Sequence, residues 1–113
     1  MKIAVIGSKK FNDYEKLKKE LDLIKDNVSE VLSTVIKNTD KLLEKWANDT
    51  GKPIKKFYLD IERWGNVAMY KSTVEMVNQS DLLIAFYDGK SKSTERSIFV
   101  AKNLGKNVKI LTV

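Results

Sequence analysis

Two short polar segments each follow a strand-like apolar run and carry groups suited to binding an anion. The first is Gly7-Ser8-Lys9, and the second runs from Asp88 to Thr94, with the sequence Asp88-Gly89-Lys90-Ser91-Lys92-Ser93-Thr94. Glycine permits close backbone approach, hydroxyls donate hydrogen bonds, and the second segment leads into a helix N-terminus, whose free N–H groups attract phosphate. Taken singly, each also fits a structural role: an ordinary turn, or Ser93 or Thr94 as a helix N-cap.

A third segment, Asp60 to Gly65, combines carboxylates with an arginine and an indole ring. Asp60 and Arg63 are polar groups of opposite charge, and Trp64 has a face suited to stacking a base. The alternative is a surface ion pair with Trp64 packed into the core. Trp46, in contrast, lies in a helical pattern beside Leu42 and is predicted to be a core residue.

The composition excludes several kinds of site. The chain has no cysteine and no histidine, so a disulfide, a thiolate nucleophile, a zinc finger and an imidazole base are all excluded. The net charge of +6 comes from lysines scattered along the sequence, which favours a solvated basic surface over a nucleic-acid partner. A length of 113 residues indicates one domain over 1–113, and the lack of long apolar runs favours a cytoplasmic protein without a membrane partner.

Apolar periodicity predicts strands that alternate with helices. The expected strands cover 2–6, 28–35, 54–59, 82–86 and 108–113, and the helices cover about 13–25, 40–51, 67–77 and 93–104. Asn12 and Glu15 have capping-box spacing at the start of the first helix, and 60–65 is expected to be irregular. Right-handed βαβ units then give an α/β, Rossmann-like three-layer fold with a five-stranded parallel sheet ordered 3-2-1-4-5. In that order a crevice opens where Gly7-Ser8-Lys9 and Tyr87-Asp88-Gly89 leave the sheet.

At these turns the sequence resembles the SLOG superfamily, particularly its small stand-alone members of the YspA type. The resemblance covers nearly the whole chain and is best over residues 1–14 and 85–94, with Ala101-Lys102 following. It implies a Rossmann-like domain that binds nucleotides or nucleotide-derived ligands, including phosphoribosyl and ADP-ribose types. It also implies self-association, and it does not by itself imply an enzyme.

The chain departs from the family at three places. Where the family has Ser-Gly-Gly-Ala-x-Gly-Ala-Asp, only Ser33 and Asp40 remain, and β-branched residues at 34–36 replace the glycines, so this part of the pocket is expected to be reshaped or filled. The family's Arg-Asn pair becomes Ser72-Thr73, with Lys71 adjacent. The Glu of the relatives that hydrolyse phosphoribosyl nucleotides is Ser97 here, and Glu95 is rotated about 200° around the helix from it.

These observations favour non-catalytic binding of a nucleotide or an NAD- or ADP-ribose-derived small molecule, by a sensor or by a sequestering protein of a mobile element. No cofactor and no metal are expected. The expected ligand-binding residues are Gly7, Ser8, Lys9, Ser33, Asp60, Arg63, Trp64, Lys71, Ser72, Thr73, Tyr87, Asp88, Gly89, Ser91, Ser93 and Thr94.

Two alternatives and one assembly expectation stay open. One alternative is a nucleoside-phosphate N-glycosidase or phosphohydrolase that uses Asp60, Glu62 or Asp88 as acid or base. The other is a protein or nucleic-acid interaction module on a Rossmann-like scaffold. A homo-oligomer is expected, with exposed Met69 or Phe99 as candidate contacts.

Overall fold

Five parallel strands form a single sheet in the order β3-β2-β1-β4-β5. The structure, a computed structural model, describes residues 1–34 and 38–113. The strands are β1 (Lys2–Gly7), β2 (Glu30–Ser33), β3 (Ile54–Lys56), β4 (Leu82–Tyr87) and β5 (Asn107–Thr112). The helices are α1 (Tyr14–Asp22), α2 (Asn38–Thr50), α3 (Ile61–Trp64), α4 (Ala68–Gln79) and α5 (Lys92–Asn103). The predicted α/β class, the Rossmann-like three-layer architecture and the strand order are confirmed.

Both faces of the sheet are covered, as the continuous apolar sequences of β1 and β4 require. Successive side chains of a strand point to opposite faces, so each of these strands supplies two cores. On one face, the core contains Ile3, Val5, Leu17, Leu21, Val31, Leu43, Trp46 and Phe86. On the other face, it contains Ala4, Leu32, Met76, Val77, Leu83, Ala85, Ile98 and Ala101. The register pairs Ile3 with Leu82 and Gly7 with Phe86, so β1 and β4 end at the same edge of the sheet.

Trp46 is a core residue, as predicted. Its side chain is fully buried, and its indole Nε1 donates a hydrogen bond of 3.0 Å to Asp22 Oδ1. This bond lets a large aromatic group be buried with its polar atom satisfied. It also joins α2 to the end of α1.

The first helix and the second strand are shorter than predicted. Asp13, and not Asn12, is the N-cap of α1, because its carboxylate accepts from Lys16 N at 3.1 Å. The helix ends at Asp22 and is followed by a 3₁₀ turn over Lys25–Asn27. Strand β2 begins at Glu30 and ends at Ser33, whereas the sequence predicted 28–35; residue 35 lies outside the described residues.

The segment after β3 is more regular than predicted. Strand β3 ends at Lys56, three residues early, and the stretch expected to be irregular contains α3 and a 3₁₀ turn over Gly65–Val67. Asp60 caps α3 by accepting from Arg63 N at 3.1 Å. Helix α4 then begins at Ala68, one residue later than predicted.

Smaller differences occur at two other helix starts. Helix α2 begins at Asn38, two residues before the predicted start. Ser91 is the N-cap of α5, so the prediction of Ser93 or Thr94 as the cap was wrong. In the described part of the chain, no helix is long and apolar enough to span a membrane.

Candidate functional site

A small cavity of about 40 Å³ lies at the carboxyl end of β1, between the edge of the sheet and three helices. Space of this size accommodates a few waters or one small polar group. Its lining is supplied by the end of β1, the residue after β2, the first turn of α2, and one side each of α4 and α5. The lining residues are Ile6, Gly7, Thr34, Thr39, Asp40, Met69, Tyr70, Thr73, Met76, Ser93, Arg96 and Ser97.

Thr39 packs directly against Gly7 in this cavity. A Cβ at Gly7 would lie 2.1 Å from Thr39 Oγ1, so only glycine permits this approach of α2 to the end of β1. Thr39 is 1% exposed, and within the described residues its Oγ1 has no hydrogen-bond partner. Leaving a buried hydroxyl unsatisfied costs about 1–3 kcal/mol. The space over Gly7 is therefore filled by a side chain whose polar atom finds no partner in the part of the chain that the structure describes.

Two helix N-termini border the cavity. Thr39 is the second residue of α2, and Ser93 is the second residue of α5. The first turn of a helix carries partial positive charge from its aligned peptide dipoles. Arg96 lies three residues after Ser93 on the same side of α5, and Ser97 Oγ donates to the Ser93 carbonyl at 3.0 Å. The α5 side of the cavity is therefore suited to an anion.

The α2 side carries a carboxylate. Asp40 is 7% exposed and accepts hydrogen bonds of 2.8 Å from both Ser33 Oγ and Thr34 Oγ1. Ser33 and Asp40, the two residues that match the SLOG sequence here, thus contact each other and join the end of β2 to α2. Asp40 gives the cavity an acceptor that repels an anion and suits a hydroxyl or an amino group.

The polar loop after β4 is held mainly by its own hydrogen bonds. Asp88 N donates to Ser8 Oγ at 3.0 Å, and Asp88 Oδ1 accepts from Lys90 N at 2.8 Å and Ser91 N at 2.9 Å. These backbone N–H groups lower the pKa of the Asp88 carboxyl below its ordinary value. Ser91 Oγ in turn accepts from Thr94 Oγ1 at 3.0 Å. Gly89 completes the turn with φ 84°.

Tyr87 and Glu95 pair beside this loop. The Tyr87 hydroxyl donates to Glu95 Oε2, and this bond, reinforced by burial, raises the pKa of Tyr87 to about 12. Glu95 therefore faces Tyr87. Ser97, which stands where the sequence resemblance implies a Glu in hydrolytic members, lines the cavity together with Ser93 and Arg96.

The third predicted segment lies on the surface next to α4. Trp64 is 37% exposed, so the alternative that placed it in the core is wrong. Arg63 Cζ and Lys71 Nζ lie 4.8 Å and 4.6 Å from the centroid of its ring, at cation–π distance. Asp60 caps α3, and Ser72 Oγ donates to the Tyr58 carbonyl at 3.0 Å. These groups support the local fold of the segment.

A wider and shallower groove of about 550 Å³ lies where the loops after β1 and β4 leave the sheet, the position predicted for the crevice. Ser8 and Asp88 line it together with Lys10, Phe11, Asn12, Asp13, Lys16 and Val113. One hydrogen bond joins the two loops across it, from Asp88 N to Ser8 Oγ. The groove has the volume of a ligand pocket, but these two polar groups are engaged with each other.

The structure divides the predicted site residues among several places. Gly7, Thr73 and Ser93 line the cavity, and Ser8 and Asp88 line the groove. The others lie on the exposed surface or in local hydrogen bonds: Lys9, Ser33, Asp60, Arg63, Trp64, Lys71, Ser72, Tyr87, Gly89, Ser91 and Thr94.

Sequence reasoning missed several cavity residues. Arg96 could have been found, because its spacing of three from Ser93 places both on one face of a helix. Thr39 and Tyr70 carry no such signal, because they reach the cavity only through the packing of α2 and α4 against the sheet. Met69, predicted to be exposed, is half-buried in the cavity lining, whereas Phe99 is exposed as predicted.

Within 1–34 and 38–113, no cluster of three acidic, histidine or cysteine side chains could hold a metal ion. In comparisons with known proteins, no family model matches the chain and no curated protein matches it. Membership of the SLOG superfamily therefore stays a prediction from the sequence.

The contact of Thr39 with Gly7 predicts a non-additive pair of substitutions. Gly7→Ala should lower the free energy of unfolding by about 1–3 kcal/mol, because the new Cβ overlaps Thr39 Oγ1. Thr39→Ala removes that atom, so the double variant should be more stable than the sum of the single effects by about 1 kcal/mol. Urea unfolding of the four proteins measures this coupling, and strictly additive effects would contradict it.

The hydrogen bonds to Asp88 predict a dependence of stability on pH. Because they stabilise the charged carboxylate, the folded-state pKa lies below the unfolded one, and their contribution is lost as the pH falls through the folded value. Asp88→Asn should therefore be less stable than the wild type at neutral pH, and the difference should shrink as the pH falls below the unfolded-state pKa of about 3.9 and vanish below the folded-state pKa. Melting temperatures of both proteins test this, and a carboxyl-carbon NMR titration should place Asp88 below 3.8. A value at or above 3.8 would count against the assignment.

Proposed function

We propose that this chain binds a nucleotide or an NAD- or ADP-ribose-derived small molecule, with a phosphate in the cavity beside Gly7, and that it does not transform its ligand. The observation that carries the proposal is the buried Thr39 hydroxyl, which lines that cavity and has no hydrogen-bond partner among residues 1–34 and 38–113. A ligand oxygen at this position would accept its hydrogen bond and remove the cost of the unsatisfied group.

The charge distribution supports an anionic group on the α5 side. Ser93 in the first turn of α5 offers a hydroxyl in the positive field of the helix dipole, and Arg96 supplies a planar guanidinium, which matches phosphate geometry. Asp40 on α2 would repel a phosphate and accept instead from a ribose hydroxyl or an amino group. A ligand with both kinds of group, such as a nucleotide, fits this arrangement better than inorganic phosphate.

The size of the cavity limits how much of the ligand is enclosed. About 40 Å³ admits a phosphate-sized group and excludes a whole nucleotide. The remainder would lie over Tyr70, which lines the cavity and is 45% exposed. An aromatic ring at the cavity mouth suits stacking against a base.

The side chains that face the cavity support binding more than turnover. Ser97 stands where the resemblance has a Glu in hydrolytic relatives, and a serine hydroxyl without an adjacent base is a poor acid or base at neutral pH. The enzyme alternative would use Asp60, Glu62 or Asp88. Asp60 and Asp88 accept backbone hydrogen bonds in α3 and in the β4 loop, and Glu62 is exposed on α3 outside the cavity lining. Asp40 is the carboxylate of the lining, and two hydroxyls already donate to it.

The chain's two arginines provide a matched test of the binding site. Melting temperatures are measured with nucleotides, ADP-ribose derivatives, cyclic dinucleotides and inorganic phosphate. A ligand at 100 times its dissociation constant should stabilise the protein by about 2.7 kcal/mol, a shift of several degrees. Arg96→Gln should weaken binding about tenfold or more by removing the guanidinium, whereas Arg63→Gln, outside the cavity, should leave the ligand affinity of the monomeric chain unchanged.

The same ligands are then incubated with the protein and separated by chromatography, which should recover them intact. If no ligand raises the melting temperature, or if the two arginine variants lose equal ligand affinity, binding in this cavity is contradicted and the interaction module is favoured. Conversion of any ligand would contradict the non-catalytic assignment and leave the binding result standing.

Thr39→Val provides a second test, because valine has the shape of threonine without its hydroxyl. The free energy of unfolding should stay the same or rise by up to about 1 kcal/mol, since an unsatisfied buried group is removed. The ligand-induced shift should be reduced or lost. The control is Thr94→Val, where the buried hydroxyl bonds to Ser91 Oγ, and it should destabilise the protein by about 1 kcal/mol. Equal destabilisation by both substitutions would show that the Thr39 hydroxyl already has a partner.

A further inference from the structure

A stripe of exposed apolar side chains repeats at every third position between residues 58 and 70. The stripe consists of Tyr58, Ile61, Trp64, Val67 and Tyr70, which are 69%, 64%, 37%, 48% and 45% exposed. It runs through the loop after β3, helix α3, the 3₁₀ turn and the first turn of α4. Gly65, with φ 52°, interrupts the helical path between Trp64 and Val67. The segment is held against the first half of α4, because Ser72 Oγ donates to the Tyr58 carbonyl at 3.0 Å and Lys71 Nζ lies 4.6 Å from the centroid of the Trp64 ring.

The exposed area of this stripe is large enough for a contact with another protein chain. Side chains of roughly 200 Å² at the measured exposures present on the order of 500 Å² of apolar surface, the size of the largest patches on monomeric proteins, which often serve binding. Two such stripes that cover each other completely would bury about 1,000 Å², the lower bound of a specific interface.

The charge of the stripe distinguishes between possible partners. From residue 58 to residue 71 the acids Asp60 and Glu62 balance the bases Arg63 and Lys71, so the segment is neutral and the whole net charge of +6 lies elsewhere. A nucleic acid or an acidic protein would be recognised by a surface with excess positive charge. Two copies of this chain, each of charge +6, repel each other least where the contacting surfaces are neutral, and both signs on the stripe allow each base to meet an acid of the other copy.

We propose that two copies of this chain associate through the 58–70 stripe in a two-fold symmetric contact, with Trp64 at its centre. Trp64 occupies the middle position of the five, and Arg63 and Lys71 already hold its ring by cation–π contacts. A ring held in one orientation loses little conformational freedom on binding, and tryptophan and arginine are the residues that most often dominate interface energies. This contact differs from the one expected at Met69 or Phe99.

The test compares two charge insertions at equal exposure. Ile61 in the stripe and Phe99 on α5 are each 64% exposed, so Ile61→Glu and Phe99→Glu impose the same change on the folded chain, and circular dichroism checks that both variants fold. Sedimentation equilibrium should show a wild-type dimer in the micromolar range. Ile61→Glu should raise the dimer dissociation constant at least about tenfold, and Phe99→Glu should change it less than about twofold.

Salt and fluorescence give independent readouts. Added salt should leave the dimer unchanged or strengthen it, because it screens the repulsion between two chains of charge +6. Trp46 is fully buried, so acrylamide quenching reports on Trp64 and should decrease with protein concentration in the wild type but not in Ile61→Glu.

A wild type that stays monomeric at every concentration, or equal effects of the two substitutions, would overturn the proposal. So would a monomer that binds single-stranded DNA through the stripe with affinity that falls steeply with salt. No ligand is present in these measurements, so their failure leaves the proposed binding function untouched.

Discussion

The pairing of β1 with β4 is the constraint on which the rest of the structure depends. These two strands are buried on both faces, and their register brings Gly7 beside Phe86 at one edge of the sheet. The crossover direction reverses between them, so α1 and α2 cover one face and α4 and α5 the other. The loops and helix N-termini that follow the strands must therefore meet at this edge. The cavity lies there because Gly7 permits the approach of Thr39, while α4 and α5 form its other walls.

The same packing explains why the site differs from the one that the sequence resemblance implies. Glycines after β2 would have allowed a ligand phosphate to approach the backbone, as the resemblance requires. In this chain the corresponding space over Gly7 holds Thr39, and the β2 end is joined to α2 by hydroxyls bonded to Asp40. The cavity there holds about 40 Å³, and Arg96 of α5 is the cation among its described lining residues. The proposed ligand contact thus depends on Arg96 and on the Thr39 hydroxyl, and less on free backbone groups.

The sequence was sufficient to predict the features that depend on local pattern. The continuous apolar run 82–86 predicted β4, the helical spacing around Trp46 predicted a core residue, and strand–helix alternation predicted the sheet order. Features that depend on contacts between distant segments could not be predicted. The hydrogen bond from Asp88 N to Ser8 Oγ and the packing of Thr39 on Gly7 both join residues that are distant in the sequence. Only the folded chain brings them together. The stripe over 58–70 was missed because its period of three is neither that of a strand nor that of a long helix.

Tyr70 connects the two surfaces of interest, because it belongs both to the cavity lining and to the 58–70 stripe. A second copy seated on the stripe would stand beside the mouth of the cavity, where the exposed part of a bound nucleotide would also lie. Under these two proposals, each binding event would change the surroundings of the other through the same ring. Linkage requires the effect to be reciprocal: whatever factor dimerisation applies to ligand affinity, the ligand applies to the dimer. A chain of 113 residues could in this way make its state of association depend on a small molecule, with no moving part larger than one side chain.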